Sequence, residues 1–163
     1  EEIGLSLSPE QHYEDQEIRG PMSWTADPIT AGFTTYKKPF RTLVENSTTH
    51  NVEMQDQRPD SLLNTYRQLI KLRTQEPALS MGTFKSLEAN TTFSYLREFE
   101  TSTILVISNY ADKPKKYQIK LPQGNSQWTP LYGSAQASYK TDPKGKLSIP
   151  LQGLQTVVLK LVK

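Results

Sequence analysis

Cysteine is absent from the 163-residue sequence, which excludes disulfides, thiolate nucleophiles and cysteine-bound zinc. Apolar residues make up only 35% of the chain. No apolar run approaches the ~20 residues that cross a bilayer, so no membrane span is predicted. Neither sign of charge dominates, since 19 basic and 17 acidic residues leave a formal net charge of +2. This balance predicts no nucleic-acid partner.

Several catalytic patterns are also missing. The sequence contains no HExxH, no G-x-S-x-G and no glycine-rich phosphate loop. Neither His12 nor His50 has a partner at metal-ligand spacing, so no metal site is predicted. Glu1 and Glu2 are adjacent carboxylates, but neighbours on an extended chain point to opposite faces and cannot flank one bond. No catalytic residue and no cofactor are therefore assigned to this chain.

The strongest helical pattern covers residues 61–76. Leucine, isoleucine and tyrosine recur there at helical spacing and form one apolar stripe that has to be buried against something. Asp60 or Ser61 is expected to cap the first turn. Pro77 is expected to end the helix, because proline clashes with the preceding turn and donates no hydrogen bond.

Residues 82–163 are predicted to be all-β. Short alternating or apolar runs are separated there by turn residues, which is typical of an antiparallel β-sandwich. The predicted strands are 92–99, 103–108, 116–121, 128–132, 146–149 and 156–162. The predicted core consists of Phe93, Leu105, Ile107, Ile119, Trp128, Leu131, Val157 and Leu159.

Residues 1–60 show no sustained period, and a structureless segment of this length suggests a functional loop laid on a scaffold outside this sequence. Arg19 offers a rigid fork of donors suited to hydroxyl pairs or carboxylates. The simpler reading is a loop salt bridge. The aromatic residues of this region suit either a sugar cleft or anchorage of the loop to the scaffold. They are Trp24, Phe33, Tyr36 and Phe40.

The order of these pieces resembles the end of the α-amylase superfamily, glycoside hydrolase family 13. The resemblance covers residues 1 to about 85, and the β-rich remainder matches by class only. It is carried, in order, by Glu1-Glu2-Ile3-Gly4, Arg19-Gly20-Pro21-Met22-Ser23-Trp24, Ala31-Gly32-Phe33, Asn51-Val52 with Gln55, Ser61-Leu62-Leu63 with Tyr66-Arg67, Leu69-Ile70, Leu72-Arg73, and Pro77-Ala78-Leu79 with Gly82.

The resemblance implies an α+β fragment of a longer parent protein. Residues 1–80 would be the last loop and eighth helix of a (β/α)8 barrel, and residues 81–163 an antiparallel β-sandwich domain. The parent would be a retaining α-glucan or α-oligosaccharide hydrolase of the α-amylase or α-glucosidase type. Its catalytic carboxylates lie on earlier strands, so this chain alone is expected to be inactive. The rest of the barrel would be needed to cover residues 1–80.

The same resemblance gives Arg19 a substrate-binding role. In relatives, the arginine of R-x-P-M-x-W reaches hydroxyls of the glucose before the scissile bond. Trp24 would support that loop rather than stack on sugar. Gly20 stands where many relatives carry an acidic residue. The substrate implied is an α-glucan or malto-oligosaccharide, and calcium, where present in the parent, would be bound upstream.

Two alternatives remain open at this point. One is a non-catalytic relative, such as the barrel-bearing subunits that escort amino-acid transporters. The other is a carbohydrate-binding β-sandwich module formed by residues 82–163 alone, which would need an exposed aromatic platform. Localisation is open, with a secreted or cell-surface bacterial protein favoured over a cytoplasmic one.

Overall fold

The computed structural model describes residues 2–6, 19–87 and 92–162 of the chain. The chain divides into two compact units, residues 1–71 and residues 72–163. Glu1 and His12, which the sequence analysis considered, lie outside the described residues. The first unit is mostly irregular, as its sequence predicts, and the second consists mainly of strands.

The helices are short, with one exception. They are α1 (Val52–Asp56), α2 (Leu62–Gln75) and α3 (Pro77–Met81). The helix predicted over 61–76 is thus present, one residue shorter at each end. The two five-residue helices were not predicted, because a single turn carries too little periodicity to be recognised.

Local chemistry explains where α2 begins and ends. The Ser61 hydroxyl accepts a hydrogen bond from the Asn64 amide at 3.2 Å, which satisfies a donor that the first turn leaves free. Ser61 rather than Asp60 is therefore the cap. Pro77 follows the last turn and starts α3, where its missing amide is not needed.

The apolar stripe of α2 is not covered. No residue of this helix is buried. Four large apolar residues of the stripe remain between 37% and 58% exposed: Leu62, Tyr66, Leu69 and Ile70. A stripe of this kind normally faces a core, so the helix presents a surface suited to a further protein layer.

The strands form two antiparallel sheets. They are β1 (Thr83–Leu87), β2 (Thr92–Phe99), β3 (Ser102–Asn109), β4 (Lys115–Lys120), β5 (Gln127–Tyr132), β6 (Tyr139–Lys140), β7 (Lys146–Leu151) and β8 (Thr156–Val162). Six of them form one sheet in the order β1-β2-β3-β8-β5-β6, and β4 pairs with β7 in the other. The six predicted strands are present, whereas β1 and the two-residue β6 were not predicted.

One apolar cluster draws on both sheets. Its buried members from the larger sheet include Leu96, Leu105, Ile107, Trp128, Val157 and Leu159. The smaller sheet contributes Tyr117, Ile119, Leu147, Ile149 and Leu151. Most of the predicted core is therefore confirmed, and Trp128 is only 2% exposed.

Two members of the predicted core are wrong. Phe93 is 43% exposed, and Leu131 is half-buried against a second cluster elsewhere. For Phe93 the reason lies in the phase of β2, where Ser94 and Leu96 are buried and the row of Phe93 and Tyr95 faces the other way. Alternation identifies the two rows of a strand, but Phe93 stands in one row of β2 and Leu96 in the other, so the pattern cannot say which row is buried.

The second cluster lies where α3 and the end of α2 meet the larger sheet. Ala78 packs there with Val106 and Val158, and Leu72 and Leu79 pack against them. The Lys160 ammonium of β8 also forms an ion pair with Glu76 at 2.8 Å. The end of α2 is thus fastened to the sheet by apolar contact and by charge.

Candidate functional site

Residues 2–6 are held by amide side chains of α1 and of the loop that precedes it. Gln55 donates from Nε2 to the carbonyl oxygen of Ile3 at 2.7 Å. Asn46 donates from Nδ2 to the carbonyl oxygen of Gly4 at 2.9 Å, and its Oδ1 accepts from the Ser6 amide at 2.8 Å. These side-chain hydrogen bonds satisfy backbone groups that have no neighbouring strand to pair with in an irregular segment.

Gln55 also reaches the start of α2. Its Oε1 accepts from the Leu63 amide at 3.1 Å. Its backbone carbonyl accepts from the Ser61 hydroxyl at 2.8 Å and from Asn64 Nδ2 at 2.9 Å. One buried glutamine therefore joins Ile3, its own helix α1 and the first turn of α2.

The segment Arg19–Trp24 alternates between exposed and buried positions. Arg19 is exposed, Pro21 and Ser23 are buried, and Trp24 is 48% exposed. Gly20 is packed closely, because a Cβ at this position would lie 2.8 Å from Val44 Cγ1. The buried positions fix the backbone while Arg19 and Trp24 present their side chains outward.

The beginning of α1 holds the end of this segment. The carbonyl oxygens of Ser23 and Trp24 accept from the amides of Val52 and Glu53, both at 3.0 Å. Asn51 caps the helix, since its Oδ1 accepts from an amide three residues further on. The first two amides of α1 are thus used to position the backbone next to the exposed Trp24.

A turn after Trp24 is fixed by Asp27. Its Oδ1 accepts from the Ile29 amide and its Oδ2 from the Thr30 hydroxyl, both at 2.8 Å. The hydrogen bond from the Ile29 amide contributes most to lowering the pKa of the Asp27 carboxyl, and the bond from the Thr30 hydroxyl adds to it. Both bonds favour the charged form. The turn brings the Ala31 carbonyl oxygen to 2.8 Å from the Trp24 amide.

Four aromatic residues between positions 24 and 40 are exposed. Phe33, Tyr36 and Phe40 are 54%, 78% and 94% exposed, and Trp24 is the fourth. The Arg41 guanidinium lies 5.3 Å from the centroid of the Phe40 ring. These rings do not fill a core within the described part of the first unit. Their surface is therefore available to a ligand or to further protein.

The roles assigned to Arg19 and Trp24 stay predictions, and the contacts that hold their segment were not predicted. Arg19 and Trp24 belong to one short segment, as predicted. Asn46, Asp27 and Gln55 were not assigned a role in holding it. The signal for them was weak, since isolated amides and carboxylates in an aperiodic segment do not reveal their partners. His50, in the same unit, lies with Nδ1 3.1 Å from the Thr49 hydroxyl.

No cluster of three or more His, Cys, Asp or Glu side chains within residues 2–6, 19–87 and 92–162 is placed to bind a metal ion. Within the same ranges, no helix combines the length and apolarity that crossing a membrane requires.

Comparison with known proteins places the chain in a family. The family model described as alpha amylase, catalytic domain, matches residues 5–82. A probable oligo-1,6-glucosidase 2 of Bacillus subtilis (strain 168) is 35% identical over 122 residues, covering 74% of this chain and 20% of the relative. The trehalose-6-phosphate hydrolase of Escherichia coli (strain K12) is 35% identical over 111 residues, covering 67% of this chain and 20% of the relative.

Solved structures extend the similarity into the second unit. An isomaltulose synthase from Klebsiella sp. LX3 superimposes with a TM-score of 0.71 at 32% identity, covering 91% of this chain and 26% of that one. The trehalulose synthase MutB of Pseudomonas mesoacidophila MX-45 gives a TM-score of 0.72 at 29% identity, covering 91% and 26%. The chain spans about a fifth of the length of the curated relatives that it matches. It belongs to the α-amylase family of carbohydrate-active proteins.

Proposed function

We propose that this chain is the C-terminal part of a retaining hydrolase that cleaves α-glucosidic bonds in glucans or oligosaccharides. Residues 1–80 would form the last loop and the eighth helix of the parent's (β/α)8 barrel, with α2 as that helix. Residues 81–163 would form the closing β-sandwich. The similarity to an oligo-1,6-glucosidase and to a trehalose-6-phosphate hydrolase supports a substrate of this class.

The observation that carries the proposal is the loop that presents Arg19 and Trp24. Active sites of such barrels lie in the loops that follow the strands. Here the loop backbone is fixed by buried Pro21 and Ser23 and by the start of α1, while Arg19 stays exposed. A donor fork held in this way binds sugar hydroxyls without first ordering the loop, which lowers the entropic cost of placing the glucose.

The uncovered stripe of α2 supports the same reading. Leu69 and Ile70 are 39% and 58% exposed, although a helix stripe of this kind normally packs on a core. In the proposed parent, the preceding barrel strands and helices would cover it. Those elements would also supply the catalytic carboxylates and the ligands of any calcium ion, whereas Arg19 would bind the glucose before the scissile bond. Trp24 would support the loop.

The decisive experiment compares this chain with its parent on maltooligosaccharides and isomaltooligosaccharides. We expect activity in the parent and none in the 163-residue chain. In the parent, Arg19→Ala should lower kcat/KM by about 10–100-fold, the loss of one or two charged hydrogen bonds. Arg58→Ala is the matched control, because Arg58 is an exposed loop arginine that forms a surface ion pair with Asp60 at 3.6 Å.

Three results would contradict the proposal. Hydrolysis by the short chain would mean that it carries its own catalytic centre. A parent that cleaves no α-glucoside would refute the assigned activity. Equal effects of Arg19→Ala and Arg58→Ala would remove Arg19 from the substrate site.

A further inference from the structure

Positive charge is concentrated in the part of the chain that contains the smaller sheet. Residues 113–146 include seven lysines and one acidic residue, a net charge of +6, whereas the whole chain has a net charge of +2. The rest of the chain therefore carries a net charge of −4. The balanced total hides a strongly basic segment, and a local excess of this size attracts anions.

The register of β4 and β7 places several of these lysines on one face of the smaller sheet. Ile119 pairs with Leu147, and both are buried in the cluster that draws on both sheets. The neighbouring pair, Lys120 and Lys146, points away from that cluster, because successive side chains alternate between the two faces of a strand. Lys116 lies in the same row of β4 as Lys120, and all three lysines are exposed.

Hydrogen-bonding groups lie among the lysines of this face. Gln118 stands between Lys116 and Lys120 along β4, and its cross-strand partner is the exposed Ser148 of β7. Lys144, in the turn before β7, lines an open depression together with Gln118 and Lys120. We refer to the whole set as the basic face: Lys116, Gln118, Lys120, Lys144, Lys146 and Ser148.

Within the part of the chain that the structure describes, the four lysines of the basic face form no ion pair. Asp142 lines the same depression, but its Oδ1 accepts from the Lys146 amide at 2.7 Å and so fixes the turn. Lys120 and Lys146 are like charges directly opposite each other, which destabilises the strand pair. An anion bound between these two ammonium groups would relieve their repulsion.

We propose that the basic face binds an acidic polysaccharide, a chain of sugars that carries carboxylate or sulfate groups. The lysine ammonium groups pair with the anionic groups as point charges. Gln118 and Ser148 exchange hydrogen bonds with the sugar hydroxyls between those groups. Lys116 and Lys120 lie about 13 Å apart along the strand, so a polymer aligned with β4 contacts both. This surface is separate from the residues to which the proposed function assigns a role.

The composition of the basic face favours a sugar polymer over nucleic acid or a membrane. The face has no aromatic ring on which a base could stack and no arginine for bidentate phosphate contacts. Between residues 111 and 153, no large apolar side chain is exposed, so this surface has nothing to insert into lipid. Its ammonium, amide and hydroxyl groups match the anionic groups and hydroxyls of an acidic glycan.

The test measures binding of the 163-residue chain to immobilised polygalacturonate, with neutral dextran as the uncharged reference. The double variant Lys120→Gln/Lys146→Gln removes the two opposed charges of the basic face. Lys37→Gln/Lys38→Gln is the matched control, since it removes the same charge from two exposed positions of the first unit. The Tm of each variant is measured alongside, and oligo(dT) and phosphatidylglycerol vesicles are tested as other anionic partners.

We expect the chain to bind polygalacturonate and not dextran. Lys120→Gln/Lys146→Gln should weaken this binding by about 5–30-fold, the loss of two exposed ion pairs. Its Tm should equal or exceed that of the unmodified chain, because a repulsive cross-strand pair is removed. Lys37→Gln/Lys38→Gln should change the affinity by less than ~2-fold, since salt screens charges that lie outside the face.

Three results would overturn the inference. One is the absence of binding to polygalacturonate, and another is an equal loss of affinity in the two double variants. The third is tighter binding of oligo(dT) or of phosphatidylglycerol vesicles than of polygalacturonate, which would assign the basic face to a different anion. None of these measurements depends on hydrolysis of α-glucosides, so the failure of this inference and the failure of the proposed function are distinguishable.

Discussion

Replacing Gln55 by leucine tests whether one buried amide holds the first unit together. Leucine has nearly the same volume, so the substitution removes hydrogen bonds without creating a large cavity. It leaves the Ile3 carbonyl without the Nε2 donor at 2.7 Å and the Leu63 amide without the Oε1 acceptor at 3.1 Å.

The expected cost follows from the surroundings of the two stranded groups. An unsatisfied buried donor or acceptor costs about 1–3 kcal/mol. Ile3 is fully buried, so its carbonyl falls near the upper value. Leu63 is only half-buried, and water can reach its amide, so that group falls near the lower value. Gln55→Leu should therefore lower the free energy of unfolding by about 2–4 kcal/mol, after a small gain from apolar burial.

The assay monitors urea unfolding of the 163-residue chain through the fluorescence of Trp24. Trp128 is the only other tryptophan, and a Trp128→Phe background makes the signal specific to the first unit. At an m-value of about 2 kcal/mol per M, the midpoint should fall by roughly 1–2 M. Gln68→Leu, at an exposed position of α2, is the control. Equal midpoints for the two variants would refute the reasoning.

Two further predictions concern a turn of each unit. Gly133→Ala would place a Cβ 1.9 Å from the Thr156 carbonyl oxygen at a residue with φ of +75°, so the backbone must shift. We expect the substitution to lower the free energy of unfolding by at least ~2 kcal/mol, as measured by thermal unfolding. An unchanged Tm would contradict the close approach. The pKa of Asp27 is lowered by hydrogen bonds, so its stabilising contribution is present above the unfolded-state pKa and is lost as the pH falls through the folded-state pKa. Thr30→Val removes one of these bonds and should raise the pKa of Asp27, as followed by carboxyl NMR titration; an unchanged titration would contradict that role.

Sequence patterns predicted the second unit better than the first. Its strands are short amphipathic or apolar runs between turn residues, so period and punctuation identify them. The core row of β4 follows directly from the alternation of Tyr117 and Ile119, both buried. The prediction failed in β2, where Phe93 and Leu96 lie on opposite faces and either could have been the core. Which row is buried depends on the partner sheet, and no local pattern records it.

The candidate site was also only partly predictable from the sequence. The roles of Arg19 and Trp24 were inferred from the family resemblance and not from the residue pattern alone, and they stay predictions. The supporting contacts were not predictable, since Gln55 reaches Ile3 across 52 residues and Asn46 reaches Gly4 across 42. Contacts between residues this far apart in the sequence depend on how an irregular loop closes. Side-chain amides in such a loop show no periodicity from which their partners could be predicted.

Strand β8 has a consequence for synthesis of the protein. It lies between β3 and β5 in the larger sheet, although it follows every other described strand in the chain. A nascent chain must therefore keep Ile107 and its neighbours of β3 shielded until their partners near Val157 leave the ribosome. Ribosome stalling or a stop codon before residue 156 would leave two unpaired hydrophobic edges, which are templates for aggregation. The larger sheet is therefore complete only after β8 has been synthesised.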